Sequence, residues 1–200
     1  TLQSIRQQLG LDQPIWVQYF NYMGDLLRGD LGNSIRTQRP VVDDLLSFFP
    51  ATLELAIAAF IIAILVGIPL GVLAALKKNT FWDHLSRVFS ISGVSIPVFF
   101  SGLIAILVFY GILDWLPSNG RIGMDVNAPT HITGFYIIDS LLTLDMVALK
   151  SSLEHLLLPA VVLSFAQLAV ITRQVRASML EVMSQEYIRT AVANGIKGWL

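Results

Sequence analysis

The chain has 200 residues, of which 54% are hydrophobic and only 14% charged, whereas about 25% of the residues in an ordinary soluble domain are charged. Together with a mean hydropathy of +0.67, this composition predicts an all-α membrane protein. The net charge of −1 argues against a nucleic-acid partner, because phosphate recognition requires a clustered excess of Lys and Arg. The lack of cysteine excludes disulfides and thiolate metal sites.

The first region in chain order, residues 1–51, reads as a polar helical segment with many loops. Residues 5–9 and 15–27 have helical spacing, and Pro14 suits the first turn of the second piece. The triplet Arg28-Gly29-Asp30 follows it. We interpret the triplet as a turn and not as an adhesion motif, because Gly-Asp pairs commonly mark turns.

Three later segments are apolar enough to cross a bilayer, which takes roughly 20 residues. They cover residues 52–76, 88–113 and 156–172. The third is at the short end of the spanning range, so we expect it to extend into its flanks. The sequence therefore predicts three transmembrane helices.

The first two predicted spans contain glycine and proline residues at positions that affect helix packing and shape. Gly67 and Gly71 lie one turn apart, which favours close approach of another helix, and Pro69 between them favours a kink. Pro97 interrupts the second span. We expect these four residues to shape the helix bundle, either through tight packing alone or as hinges that open a pathway.

The distribution of Lys and Arg predicts the orientation. Residues 77–87 carry Lys77, Lys78 and Arg87 and are expected in the cytoplasm, as is the basic tail 173–200. The acidic loop 114–155 suits the outer side.

This topology places residues 1–51 outside the cell. Because the chain starts at Thr1 without an initiator Met or a signal sequence, we expect a preceding span and a chain that is a fragment. Translocation of the N-terminal segment without a preceding span is the alternative.

Few polar groups lie at membrane depth. Gln167 is the main candidate, and we expect it either to hydrogen-bond another helix or to line a pathway. An ion-coupled carrier is disfavoured, since such carriers keep ionisable groups in their spans.

The sequence also offers no candidate for an enzyme active site. The three histidines, at 84, 131 and 155, are widely separated, so no metal site or other catalytic constellation is predicted. No phosphate-binding loop is recognisable either, so any ATP would be used by another subunit.

The tail continues the third span as a helix over 173–183. Ser184 is expected to cap a second, amphipathic helix over 185–194, and Gly195 to end it. On periodicity alone, a helix lying on the membrane surface would look the same.

Residues 187–195 read Tyr-Ile-Arg-Thr-Ala-Val-Ala-Asn-Gly. This stretch resembles the cytoplasmic loop of ABC importer permeases, whose pattern is Glu-Ala-Ala, three residues and Gly, and above all its peptide-importing branch. Further blocks follow in the family's order: Leu-Gly-Leu-Asp-Gln-Pro at 9–14, Gly-Asp-Leu-Gly at 29–32, Ala-Thr-Leu-Glu-Leu at 51–55, Gly-Ile-Pro-Leu-Gly-Val-Leu-Ala-Ala at 67–75 and Leu-Pro-Ala at 158–160.

The resemblance implies a multi-pass, six-span permease of the bacterial inner membrane, of which this chain would hold spans two to four. It also implies a second homologous permease, two cytoplasmic ATPase subunits and an extracytoplasmic substrate-binding protein, with membrane lipid around them. The permease would not be an enzyme and would bind no cofactor directly, since ATP is used by the partners. Dipeptides or oligopeptides are the expected cargo, with glutathione or nickel as alternatives. A scaffold that holds a cytoplasmic partner without transporting is the rival class.

The resemblance also implies that the second tail helix is a coupling helix that docks on the ATPase. Two residues depart from the branch pattern, since Val192 and Asn194 stand where Arg and Lys are usual. Because exposed ion pairs contribute only about 0–1 kcal/mol, we expect apolar docking to persist while coupling weakens. The predicted coupling residues are Glu186, Tyr187, Arg189, Thr190, Ala191 and Gly195.

Overall fold

The computed structural model of the protein describes residues 13–195. Within this range the regular secondary structure consists of helices and one isolated bridge between Asn33 and Pro40. This confirms the predicted all-α fold. The helices are α1 (Ile15–Leu27), α2 (Val41–Leu76), α3 (Phe81–Ser95), α4 (Val98–Ala105), a π-helical segment (Ile106–Ile112), α5 (Tyr136–Leu142), α6 (Met146–Met183) and α7 (Glu186–Ala193).

The chain forms two compact units, residues 1–50 and 51–200. In the first unit, α1 occupies the range expected from its periodicity, whereas the piece at 5–9 lies outside the described residues. Pro14 sits at the N-cap and not in the first turn, because its ψ of 145° is extended. The Arg28–Asp30 triplet is the turn that ends α1, with Gly29 at a φ of +83°.

Two of the described helices, α2 and α6, are long and apolar enough to cross a membrane, and they contain the predicted spans 52–76 and 156–172. As expected, the short third span extends into its flanks, since α6 runs from Met146 to Met183.

The predicted span 88–113 differs, since it is not one straight helix. The first part of α3, Phe81–Gly93, is bent by 105° from Val98–Ile112, which comprises α4 and the π-helical segment. Pro97 causes the break, because proline donates no backbone hydrogen bond and forces Ile96 before it into extended backbone, with a ψ of 124°. If the bent pair counts as one span, the described residues hold three.

Helix α6 is the centre of the second unit and packs against α3, α4 and α5. It also meets α2 closely, because a methyl group at Gly67 would lie 3.0 Å from Ile171 Cγ2, and one at Gly71 would lie 2.7 Å from Val175 Cβ. Helix α2 remains continuous through Pro69 to Leu76. Glycine at these two positions therefore lets the two backbones approach.

Candidate functional site: the ends of the long helices

The long helix α6 leads directly into the short helix α7. It has 38 residues and is about 57 Å long at 1.5 Å per residue, enough to cross a bilayer and project beyond it. Only Ser184 and Gln185 separate it from α7, which covers Glu186–Ala193. A displacement of α7 would therefore reach α6 through a two-residue turn.

Ser184 does not cap α7 as predicted. It is the C-cap of α6, and its Oγ donates a hydrogen bond of 2.7 Å to the carbonyl of Glu181. Serine hydroxyls can bond to a preceding carbonyl as well as to a following N–H. The capping prediction was therefore wrong about the helix that Ser184 serves.

Several described side chains of helix α7 are exposed. Tyr187 is 58% exposed, Glu186 and Thr190 are also exposed, and the Thr190 hydroxyl donates to the Glu186 carbonyl at 2.9 Å. The side chains of Arg189 and Ala191 lie outside the described part of the structure.

Gly195 follows the end of α7 with a φ of +79°, and a methyl group there would meet no described atom within 4 Å. The positive φ is the conformation in which helices commonly stop at glycine. Among residues 13–195, nothing covers the side of Gly195 that a partner could approach.

A buried carboxylate ties the start of α3 to the last turns of α6. Asp83 has no exposed surface. Arg176 donates to it from Nε at 2.6 Å and from Nη2 at 3.0 Å, and Arg87 donates from Nη2 at 2.8 Å. The backbone N–H of Asn79 adds a bond of 2.9 Å. These residues, Asn79, Asp83, Arg87 and Arg176, are called the Asp83 cluster below.

The Asp83 cluster fixes the turn between α2 and α3 as well as the position of α6. Asn79 adopts a φ of +61°, and its N–H points at the carboxylate that also holds Arg176. The site was not predicted from the sequence. The i, i+4 spacing of Asp83 and Arg87 was the available signal, but nothing local indicates a partner 93 positions away.

A second polar group lies at the other end of α2. Glu54 accepts the backbone N–H of Ile137 at 2.8 Å and an Arg121 guanidinium bond at 2.9 Å. Arg121 also donates to the Gly134 carbonyl at 3.0 Å and stacks 3.7 Å above the ring of Tyr136. Glu54 was visible in the sequence as the one charge near the start of a span, but its partners were not.

Asp139 stabilises the loop next to Glu54 and Arg121. Its buried carboxylate accepts the backbone N–H groups of Ile132, Thr133 and Gly134, and the Thr133 hydroxyl at 2.6 Å. Burial raises the pKa of Asp139, but these hydrogen bonds to the charged form outweigh burial and hold the pKa below its usual value. Residues Glu54, Arg121, Gly134, Tyr136 and Asp139 are called the outer assembly below, because the loop charges predict that this end faces outwards.

A cavity of about 210 Å³ lies beside the outer assembly. Glu54, Arg121, Ser152 and His155 contribute its polar lining, and His155 Nδ1 donates to the Ser151 carbonyl at 2.7 Å. Glu54 and Arg121, the charged residues in the lining, already form an ion pair with each other.

Gln167 lies in the middle of α6 and is exposed. The hydrogen bond to another helix, which was one of its two expected roles, does not form with any side chain or backbone group in residues 13–195. Its amide is therefore open towards whatever faces this side of α6.

Comparison with known proteins identifies the second unit. Residues 67–200 match the family described as binding-protein-dependent transport system inner membrane component, and residues 1–56 match the N-terminal region of such membrane components.

Individual relatives agree with this match. The chain is 52% identical over 198 residues to the probable D,D-dipeptide transport system permease protein DdpB of Escherichia coli K12. It is 43% identical over 189 residues to the di/tripeptide transport system permease protein DppB of Pseudomonas aeruginosa UCBPP-PA14. It is 36% identical over 195 residues to the glutathione transport system permease protein GsiC of Escherichia coli O6:H1.

These alignments cover 99%, 94% and 98% of this chain and 58%, 56% and 54% of the respective relatives. The chain thus spans little more than half the length of the curated relatives that it matches.

Proposed function

Because the chain belongs to the family of binding-protein-dependent transport system inner membrane components, we propose that it forms part of the pathway of an ATP-driven peptide importer. The family's description places it in the inner membrane, and α2 and α6 are suited to spanning it. The members of this family are membrane components of transport systems. This agrees with the expectation that the chain is not an enzyme.

The observation that carries the proposal is the direct passage of α6 into α7. A helix that crosses the membrane and ends in an exposed short helix can convey the movement of a docked ATPase to the pathway. In this account α7 is the coupling helix, with Tyr187 at its exposed surface and Gly195 at its end. The Asp83 cluster keeps the last turns of α6 in register with α3.

The proposed transporter contains two cytoplasmic ATPase subunits, a second homologous permease and an extracytoplasmic substrate-binding protein. ATP is bound by the ATPase subunits, and this chain holds no cofactor of its own. Alternation between outward-open and inward-open states would involve the bend at Pro97 and, in α2, the segment around Pro69. Gln167, with its open amide, is the proposed contact with the pathway.

A dipeptide or short peptide is the proposed cargo. The relatives at 52% and 43% identity are named for D,D-dipeptide and di/tripeptide transport, whereas the relative named for glutathione transport is 36% identical. Nickel is the third possibility that the family resemblance leaves open.

Cargo is tested by ATP-dependent uptake into proteoliposomes that contain the assembled importer. Labelled dipeptides are expected to accumulate and to be displaced by unlabelled dipeptides. Uptake of glutathione or Ni²⁺ that dipeptides do not inhibit would refute the peptide assignment.

The role of α7 is tested by site-specific cross-linking, which is simplified because the chain has no cysteine. A cysteine in place of Tyr187, which is 58% exposed, is expected to cross-link to the ATPase subunit. Tyr22→Cys is the matched control, since Tyr22 is 57% exposed but lies in the segment predicted to be extracytoplasmic. Cross-links from both positions, or from Tyr22 alone, would contradict the proposed docking surface.

If Tyr187→Cys captures a cytoplasmic protein but the assembly shows no ATP-driven uptake, the scaffold alternative replaces transport.

A further inference from the structure

A second cavity lies between α3 and α6, at the end predicted to face the cytoplasm. It has a volume of about 320 Å³, and three arginines open onto it. None of the residues assigned above to the proposed pathway or to α7 lines this cavity. Its lining includes Arg87, Arg173, Arg176, Ser86, Ser90 and Ile91.

The charges around this cavity are unbalanced. Asp83 pairs with Arg87 and Arg176, whereas Arg173 is exposed and forms no ion pair with the residues that the structure describes. Three guanidinium groups therefore face one carboxylate, which is itself completely buried. The surplus positive charge is suited to an anion.

Arginine fits a phosphate group well, because its planar guanidinium can donate two parallel hydrogen bonds to a pair of oxygens. Asp83 holds Arg176 through both Nε and Nη2 and Arg87 through Nη2, so two of the three arginines are fixed in place before a ligand arrives. Arg87 nevertheless remains 46% exposed at its side chain. A phosphate at this cavity would meet an oriented group of cations.

The surroundings of the cavity favour a lipid over a soluble ligand. On α3, the exposed aromatic residues Phe81 and Trp82 lie towards the predicted cytoplasmic end, as is typical of a membrane–water interface. Further along α3, Val88 and Ile91 are exposed apolar residues, and Ile91 lines the cavity itself. The cavity thus joins a cationic end to an apolar surface suited to an acyl chain.

We propose that this cavity binds the phosphodiester headgroup of an anionic phospholipid from the cytoplasmic leaflet. Basic pockets between membrane helices on the cytoplasmic side bind such headgroups. Arg173 would supply the free guanidinium, while Arg87 and Arg176 contact the phosphate from their fixed positions. An inorganic phosphate would use the cations but not the exposed apolar surface at Val88 and Ile91.

The test uses the assembled importer in nanodiscs that contain phosphatidylglycerol and phosphatidylcholine, with retained lipid counted by native mass spectrometry. Arg173→Gln is expected to lower the occupancy of tightly retained phosphatidylglycerol about fivefold, the order of effect of one basic residue at an anionic membrane surface. Lys78→Gln is the matched control, because Lys78 is an exposed cation on the same predicted membrane face that does not line the cavity. It is expected to leave the occupancy unchanged.

Equal losses of lipid in the two variants would overturn the proposal, since they would indicate general attraction to charge. A second arm replaces lipid with inorganic phosphate in neutral detergent. Retention of phosphate that depends on Arg173, without selective retention of phosphatidylglycerol, would assign the cavity to a soluble anion instead. Cross-linking of an Arg173→Cys variant to an acidic segment of a partner subunit, with no retained lipid, would assign the cavity to a protein contact. Unchanged thermal unfolding of Arg173→Gln excludes misfolding as the cause of lipid loss.

Discussion

The two ends of the second unit hold their buried carboxylates in different ways. In the outer assembly, Asp139 is enclosed by N–H groups from residues 132–134, only a few positions away, and Glu54 accepts the N–H of Ile137 beside its ion pair with Arg121. In the Asp83 cluster, side chains from α3 and α6 supply most of the contacts. The end predicted to face outwards, the outer end, is thus organised largely by loop backbone, whereas the end predicted to face the cytoplasm, the inner end, depends on two arginines.

This difference has a functional consequence. A carboxylate saturated by backbone N–H groups of one loop stabilises a fixed local shape. An ion pair between two helices instead makes the position of one helix depend on the other. The inner end, next to α7, is therefore where movement of the proposed coupling helix can be conveyed to the bundle.

Removal of the central carboxylate of the inner end should produce the largest loss of stability. Asp83→Ala leaves Arg87 and Arg176 facing each other, and breaking a buried ion pair in this way costs about 3–5 kcal/mol. We expect a marked fall in the thermal unfolding midpoint of the detergent-solubilised protein. Asp43→Ala is the control, since Asp43 is likewise an acidic residue in the first turn of a helix but is exposed. A small and equal effect of both changes would mean that the Asp83 cluster does not hold α6.

The outer assembly should respond less strongly to loss of its ion pair. Glu54→Gln keeps an acceptor for the N–H of Ile137 but removes the charge that faces Arg121. Arg121 retains the Gly134 carbonyl and the Tyr136 ring, so we expect a loss of about 1–2 kcal/mol in the free energy of unfolding.

The exposed pair Lys150–Glu154, with an N–O distance of 3.8 Å, supplies the control for this change. Glu154→Gln should cost well under about 1 kcal/mol. A larger loss from Glu154→Gln than from Glu54→Gln would contradict the structural role of the outer assembly.

The smallest effect is a pH dependence that originates at Asp139. Because hydrogen bonds hold its pKa below the ordinary value of 3.8, the folded protein stabilises the charged form. The stabilisation is complete well above pH 3.8 and is lost as the pH falls below 3.8 towards the lower folded-state pKa.

Asp139→Asn should flatten this part of the stability curve, measured as the unfolding midpoint against pH. Asp125→Asn, a change at an exposed carboxylate of the same loop, should leave the curve's shape intact. If Asp139→Asn retains the full decline below pH 3.8, the dependence originates at another group.

Hydrophobic patterns in the sequence predicted where the main helices lie. The hydrophobic periodicity of residues 15–27 predicted α1. The long apolar runs predicted helices in α2 and α6, because backbone N–H and C=O groups in a membrane must form hydrogen bonds within the protein. Pro97 was recognised as a residue that shapes the second span, but the 105° bend was not predicted. The angle depends on how α3 and α4 each pack against α6.

Most contacts of the candidate site could not be predicted, because they join distant residues. Arg176 and Asp83 are 93 positions apart, and Arg121 and Glu54 are 67 apart. Ser184 shows that a local contact can also be predicted wrongly. A serine between two helices can cap either one, and here its hydroxyl donates to the carbonyl of Glu181 in the preceding helix. The proposed coupling segment was predicted from a family resemblance, whereas the contacts that position the helix before it are seen only in the structure.

The most direct test of the central claim, that α7 couples an ATPase to the pathway, compares two glycines in the assembled importer. Gly195 and Gly29 have φ values of +79° and +83°, and a methyl group at either one meets no described atom within 4 Å. Alanine should therefore impose similar backbone strain at both positions. The measurement is ATP-driven dipeptide uptake together with retention of the ATPase. We predict that Gly195→Ala lowers both at least about tenfold, corresponding to about 1.4 kcal/mol, while Gly29→Ala leaves both near the parent value. Equal behaviour of the two variants would contradict the assignment of α7 as the coupling helix.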